Sequence, residues 1–266
     1  MFEEFFGMKY TPFCNQIPAE ALYLSDNLQE VIGRLCYVAE HQLFGVLTGM
    51  VGVGKSTIIR RLKSSLPADK YLVLYLSDSQ LTPRCFYNGL LQQLGSEPKF
   101  QRGDAKLSLH RQLEYIREVR HIRVVTIVDE AHLLKRETLE EIRFLLNYHM
   151  DSMNPMALIL VGQDELWDKL VKSAYAAIRQ RIDIKCALPS YDLGQCQKYI
   201  AAHMKYAGCE QEIFTEDAIK AIYEYSAGSA RGINKVCMHS LLCAAQRGKK
   251  LIDDHLVHLV IESELP

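Results

Sequence analysis

Residues Gly49-Met50-Val51-Gly52-Val53-Gly54-Lys55-Ser56 have the types and spacing needed to hold a polyphosphate. Two glycines separated by four residues, the second followed by Lys and Ser, let the backbone curl so that its amide N–H groups point inward. An apolar run precedes the pattern and a helical pattern follows it. The helix N-terminus adds the positive end of its dipole. Gly49, Gly52, Val53, Gly54 and Thr57 are therefore expected to line a nucleoside triphosphate. Lys55 would reach its β- and γ-phosphates, and the Ser56 hydroxyl would ligate Mg²⁺.

Val124-Val125-Thr126-Ile127-Val128-Asp129-Glu130 is a hydrophobic strand ending in two carboxylates. The carboxyl end of a buried strand is where an α/β sheet presents its ligands. Asp129 can hold Mg²⁺ directly or through water, and Glu130 can orient or deprotonate an attacking water. Asp129-Glu130-Ala131-His132 also spells a helicase box. That reading requires a second nucleotide-binding domain of the same kind, which the helical sequence beyond does not supply, so His132 is expected to be structural.

Three further positions could serve the same chemistry. Gln163 follows the strand Ala157–Val161 and could sense a γ-phosphate; surface polarity is its ordinary alternative. Arg179 and Arg181 precede the fifth strand, and an arginine there can reach the nucleotide of a neighbouring copy. Residues two apart on a helix point about 200° apart, so one of the pair should reach, and Arg181 is favoured. Arg231, in Gly228-Ser229-Ala230-Arg231-Gly232, stands near the start of a helix from which it could swing onto the γ-phosphate. Solvation or ion pairing is the ordinary alternative for each arginine.

These residues need a frame. Leu43–Thr48, Tyr71–Leu76, Val124–Val128, Ala157–Val161 and Asp183–Leu188 read as strands, four of them with little polar alternation, as in parallel strands buried on both faces. Helical patterns over Lys55–Leu66, Pro83–Leu94, Leu107–Val119 and Glu137–Tyr148 lie between them. The alternation predicts βαβ units and a parallel sheet. After Pro189 the pattern is helical, over Leu193–Tyr206, Glu216–Ser226, Ala230–Gln246 and Asp254–Glu262. Thr215 is placed to cap one of these helices, and Gly208 and Gly248 to end two others. The expected organisation is a lead-in over 1–40 whose aromatics pack on the core, an α/β nucleotide-binding core over 41–188, and a helical subdomain over 189–266.

The 266 residues are 48% hydrophobic and 24% charged, with a formal net charge of −1. No global field favours nucleic acid, so any contact with it must come from a local patch. No apolar run approaches the roughly 20 residues of a membrane helix, and the first residues lack the pattern of a secretory leader. None of the eight cysteines forms a Cys-x-x-Cys pair or has histidines at zinc spacing. Reduced, buried thiols and a cytoplasmic setting are the expectation.

In order and spacing these elements resemble an AAA+ ATPase, with Walker A, Walker B, sensor 1, arginine finger, and sensor 2 on a helical lid. Phe5-Phe6-Gly7 with Pro12-Phe13, Asp129-Glu130-Ala131, Val161-Gly162-Gln163-Asp164-Glu165-Leu166, Arg179-Gln180-Arg181-Ile182 and Arg231-Gly232-Ile233-Asn234 resemble the ExeA-like ATPases. These are similar to the transposition ATPases of the TnsC, MuB and IstB type. The resemblance implies strand order 5-1-4-3-2, a C-terminal helical lid, ATP-dependent oligomers and Mg²⁺-dependent hydrolysis. His132 stands where the pattern usually has Gln, Ala230 where Pro is common, and Met50 and Val53 where Glu and Thr are frequent. None of these departures removes a ligand.

Two functions fit the resemblance. The first is a regulator of DNA transposition that oligomerises with ATP on duplex DNA, recruits a transposase and has no membrane insertion. Lys99, Arg102 and Lys106 are its candidate DNA contacts, with Lys135 and Arg136 as second choices. The second is an ExeA-like ATPase of a general secretion pathway; ending at the lid, the chain would then need a separate membrane partner.

Overall fold

The computed structural model describes residues 2–78, 81–146, 154–209 and 211–265. It forms two compact units: Met1–Gln29 with Met50–Thr57 and Pro189–Pro266, and Glu30–Gly49 with Ile58–Leu188.

The second unit is built on the apolar runs. β1 (Phe44–Thr48), β2 (Tyr71–Leu76), β3 (Arg123–Val128), β4 (Ala157–Gly162) and β5 (Ile184–Ala187) form one parallel sheet in the order β2-β3-β4-β1-β5. This is the expected 5-1-4-3-2 order read from the other edge. The residues of β1 and β4 are buried throughout, and those of β3 after Arg123. β2 and β5, at the edges, carry exposed residues. The edge at Tyr75 is closed by a side chain. The Gln93 carboxamide accepts from Tyr75 N–H and donates to Tyr75 C=O, both at 2.9 Å.

α3 (Lys55–Ser65) follows the glycine loop, and α4 (Pro83–Gln93), α5 (Arg102–Glu118) and α6 (Arg136–Leu145) cover this sheet. Thr82 caps α4 by accepting from Cys85 N–H, and Pro83 fits the first turn because no N–H is needed there. α5 begins five residues before its expected start at Leu107. Its buried stripe is Ala105, Leu109, Leu113 and Ile116, and Leu107 is exposed. The end of the expected helix Glu137–Tyr148, residues 147–148, lies outside the described residues.

The first unit is helical. α9 (Leu193–Tyr206), α10 (Glu216–Ser226), α11 (Ala230–Gln246) and α12 (Asp254–Glu264) lie within it, and α1 (Phe2–Phe6) packs on α11. α9 opens with a reciprocal capping box between Asp192 and Gln195. Thr215, Ser229 and Asp253 cap the next three helices through their side-chain oxygens. Gly228 follows α10 with φ +73, and a Cβ there would meet the Tyr191 carbonyl oxygen at 2.0 Å, so only glycine fits.

The early aromatics find their partners in the C-terminal helical unit, chiefly on α9, a correction to the expectation that they pack on the α/β core. Tyr10 stacks on Tyr206 and Phe13 on His203, while Tyr23 meets Tyr191 and Tyr199 edge-on. Tyr199, His203 and Tyr206 fall at i, i+4 and i+7, which puts them on one helical face. A second difference is α2 (Asp26–His41), a helix that the lead-in conceals because no glycine loop or strand pattern marks it.

His203 is buried and its Nδ1 accepts the Phe13 N–H at 3.1 Å, so the ring is held neutral. Burial pushes its pKa down to about 4. With the folded value below the ordinary 6.5, this neutral ring supports the fold above pH 6.5. That support is lost as pH falls toward 4, at about 1.4 kcal/mol per unit. Thermal melting at pH 7 and pH 5 should show the wild type losing stability. His203→Phe, which has no proton to gain, should start about 1–3 kcal/mol less stable at pH 7 and lose less on acidification. Equal acid sensitivity in the two proteins would remove His203 from this role.

Candidate functional site

In the second unit, strand register brings the carboxyl ends of β1, β3 and β4 to one end of the sheet. Thr48 pairs with Gly162, and Val128 with Leu160. Asp129 and Gln163 follow these ends directly. Asp129 is buried, and its N–H extends the ladder to Leu76 O at 2.7 Å. Its Oδ2 accepts the Tyr75 hydroxyl at 2.6 Å and its Oδ1 accepts the Glu130 N–H at 2.8 Å. Burial and the Asp129 carboxylate together push the Tyr75 phenol well above its ordinary range, so it stays a donor.

Glu130 adopts a left-handed backbone conformation, φ 52 and ψ 31, which costs a non-glycine residue roughly 1 kcal/mol. That turn aims its side chain outward, about half-exposed. The conformation is held from both sides. Asp129 accepts its N–H, and the following 3-10 turn, Ala131–Leu133, is pinned by Lys169 from α7 (Asp164–Leu170). Lys169 Nζ donates to the carbonyls of His132 and of Leu134, the latter at 3.1 Å. Burial and the nearby Lys172 charge lower the Lys169 pKa. His132 Nδ1 stands 3.5 Å from Glu130 Oε2 and 3.5 Å from Gln163 N.

In the first unit, the glycine-rich segment meets the start of α11. Gly52 and Gly54 have φ +79 and +109, the left-handed backbone that turns successive amides to one side. Gly52 O accepts the Arg231 N–H at 3.0 Å. A Cβ on Gly52 would lie 2.6 Å from Ser229 Oγ and 2.9 Å from Arg231 Cβ, so the loop and the helix start are in close contact. Lys55 Nζ donates to Met50 O at 2.8 Å and so folds over its own loop. Val53 is buried, Ser56 and Arg231 are exposed, and Thr57 is half-buried; Gly49, in the second unit, is buried.

Of the sequence-predicted residues, the structure therefore brings Gly52, Lys55 and Arg231 together in one unit, and Asp129, Glu130 and Gln163 together in the other. In the second unit Arg179, at the end of α8 (Ala176–Arg179), donates to the Val171 carbonyl, and Arg181 is half-buried two residues later.

Two of the three residues first expected to contact DNA pair with a carboxylate of this chain. Arg102 and Lys106 each lie 3.2 Å from the carboxylate of Glu141, which is buried on α6 and also accepts the Tyr87 hydroxyl at 2.7 Å. Burial alone would raise the Glu141 pKa. The Tyr87 and Lys106 hydrogen bonds and the two cations outweigh it and hold the value below the usual carboxylate range. Lys99 is fixed through its backbone, which exchanges two 2.9 Å hydrogen bonds with the Asn88 side chain.

Sequence reasoning missed Tyr75, Lys169 and Glu141. Each acts through a partner far along the chain, for which adjacent residues carry no signal.

Among the described residues, no cluster of three or more His, Cys, Asp or Glu side chains could hold a metal. A Mg²⁺ bound through one carboxylate, a hydroxyl and substrate phosphates needs no such cluster. All eight cysteines are unpaired. Among the described residues no helix is long and apolar enough to cross a membrane.

A family model described as "AAA domain" matches residues 38–170. General secretion pathway protein A of Aeromonas hydrophila is 31% identical over 261 residues, which is 95% of this chain and 46% of that protein. The chain thus spans less than half of that relative. Among solved structures, Drosophila ORC bound to DNA superposes with a TM-score of 0.69 at 18% identity, over 98% of this chain and 64% of that one. The Aeropyrum pernix ORC2 protein in its ADPNP–ADP complexes gives 0.65 at 18% identity, over 98% and 71%.

Proposed function

The chain belongs to the AAA-domain family, and on that premise we propose that it is a Mg²⁺-dependent ATPase of the secretion-pathway type that works as a self-associating nucleotide switch. The observation that carries the specific reading is the 31% identity to the Aeromonas secretion protein, extending over 95% of this chain. The left-handed Gly52 and Gly54 and the folded-over Lys55 suit a loop that wraps phosphates. The oxygen donors of Ser56 and Asp129 suit Mg²⁺, which when bound would neutralise phosphate charge.

In this reading Gly49, Gly52, Val53, Gly54, Lys55 and Thr57 hold the phosphates of ATP. Glu130 orients the attacking water, Gln163 and Arg231 register the γ-phosphate, and Arg181 serves the nucleotide of a neighbouring copy. A membrane partner belongs to this reading.

Transposition on duplex DNA, with recruitment of a transposase and kinship to TnsC, MuB and IstB, is the weaker reading. Two of its three proposed DNA cations, Arg102 and Lys106, already neutralise a buried carboxylate.

Purified protein should be mixed with duplex DNA and a non-hydrolysable ATP analogue at low salt, then followed by sedimentation and electron microscopy. Nucleotide-dependent self-association without DNA is expected. Nucleotide-dependent rings or filaments on DNA, weakening steeply with salt, would overturn the secretion reading in favour of transposition.

A further inference from the structure

His132 is nearly buried, with 11% of its side chain exposed, and a single ring nitrogen faces two groups that make opposite demands. The Gln163 N–H is a donor and needs a lone pair on Nδ1. The Glu130 carboxylate is an acceptor and needs a proton there. In any one tautomer Nδ1 can satisfy only one of them. Both separations are 3.5 Å, the outer limit of hydrogen bonding; the Gln163 N–H points at Nδ1 with hydrogen-bond geometry, and the Glu130 carboxylate stands at ion-pair distance from the same atom.

The backbone beneath the ring does not share this freedom. Lys169 binds the His132 and Leu134 carbonyls, and a Cβ on Gly162 would lie 3.1 Å from His132 N, so β4 packs directly on this turn. The ring is thus a pivot on a fixed mount, between the end of β4 and the side chain of Glu130.

We propose that His132 is a positioning residue that couples the end of β4 to Glu130. With the proton on Nδ1, the ring holds the Glu130 carboxylate back. With the proton on Nε2, Nδ1 accepts from Gln163 N–H and Glu130 is released to orient water. A polar ligand that moves the Gln163 backbone toward the ring therefore frees Glu130. The proposal rests on the reading of Glu130 given above.

Two substitutions bias the pivot in opposite directions. His132→Phe keeps a ring but removes both nitrogens, so Glu130 is unrestrained. Gln163→Pro removes the competing N–H at a position whose φ, −75, proline accepts, so Nδ1 serves Glu130 alone; Gln163→Ala, which loses the same side chain but keeps the N–H, is its reference. Steady-state ATP hydrolysis should rise in the first relative to the wild type and fall in the second relative to Gln163→Ala, each by about threefold to tenfold, the worth of one hydrogen bond. The nucleotide Kd of His132→Phe should stay unchanged. His132→Asn, whose amide stands near the Nδ1 position and can donate or accept, should return close to wild-type rates.

A fall in both variants, or no change in both, would overturn the proposal, because a packing role cannot give opposite signs. For variants that fold poorly, ¹⁵N chemical shifts of the wild-type ring decide the matter. The proton should move from Nδ1 to Nε2 when a non-hydrolysable ATP analogue is added, and an unchanged tautomer refutes the coupling. Glu130→Gln serves as the control. Full turnover there means that the reading of Glu130 has failed, whereas loss of turnover with same-sign His132 and Gln163 effects means that only the coupling has failed.

Discussion

Glu130→Gln is expected to bind ATP as tightly as the wild type and to hydrolyse it about 10²- to 10⁴-fold more slowly, the usual worth of a general base. The substitution keeps the shape of the side chain and removes its ability to take a proton. The backbone supports a clean result. Glu130 sits in a left-handed conformation that Asp129 holds through its N–H and Lys169 through the following turn, and neither contact involves the Glu130 carboxylate. Glutamine should therefore occupy the same place. Single-turnover hydrolysis alongside a nucleotide-binding titration separates the two effects. Full turnover in this variant would dismiss Glu130 from its role, and a lost affinity would show that the substitution disturbs binding instead.

Lys55→Ala should strike the earlier step. An ammonium shared between β- and γ-phosphate oxygens makes two charge-assisted hydrogen bonds, worth together about 3 kcal/mol, or roughly 100-fold in Kd. The Met50 carbonyl, 2.8 Å from Nζ, keeps the amine over the loop. Alanine removes the charge without touching the left-handed glycines, so the loop should keep its course. Titration with a fluorescent ATP analogue is the measurement, and the rise in melting temperature that ATP gives the wild type should disappear with it. Affinity within threefold of the wild type would mean that Lys55 does not engage the phosphates.

Much of the second unit was legible because short, Val-, Ile- and Leu-rich apolar runs such as Phe44–Thr48 and Ala157–Gly162 have the length and composition of strands buried on both faces, and each lands within a residue or two of its expected bounds. The glycine loop and the Asp129-Glu130 pair were legible because their chemistry lies in adjacent residues. Partnerships across the chain were not. Tyr75 reads as one more β-former in Tyr71–Leu76, and nothing local announces that its hydroxyl meets Asp129, 54 positions away. Arg102 and Lys106 look like a solvated basic patch until Glu141, 39 and 35 positions on, is seen between them. The compact grouping of Met50–Thr57 with the C-terminal helices was equally hidden, since the loop's neighbours in sequence are the sheet strand and helix it connects.

The Gln93 carboxamide on Tyr75 bears on how copies of this protein can meet. An open sheet edge is a template on which another chain can lay a strand, the common route to runaway aggregation. At Tyr75 both backbone groups of the edge strand are already taken by an amide of the same chain. A newcomer strand would have to evict Gln93 before gaining its first hydrogen bond there. Any self-association is thereby steered away from this stretch of backbone and toward side-chain surfaces.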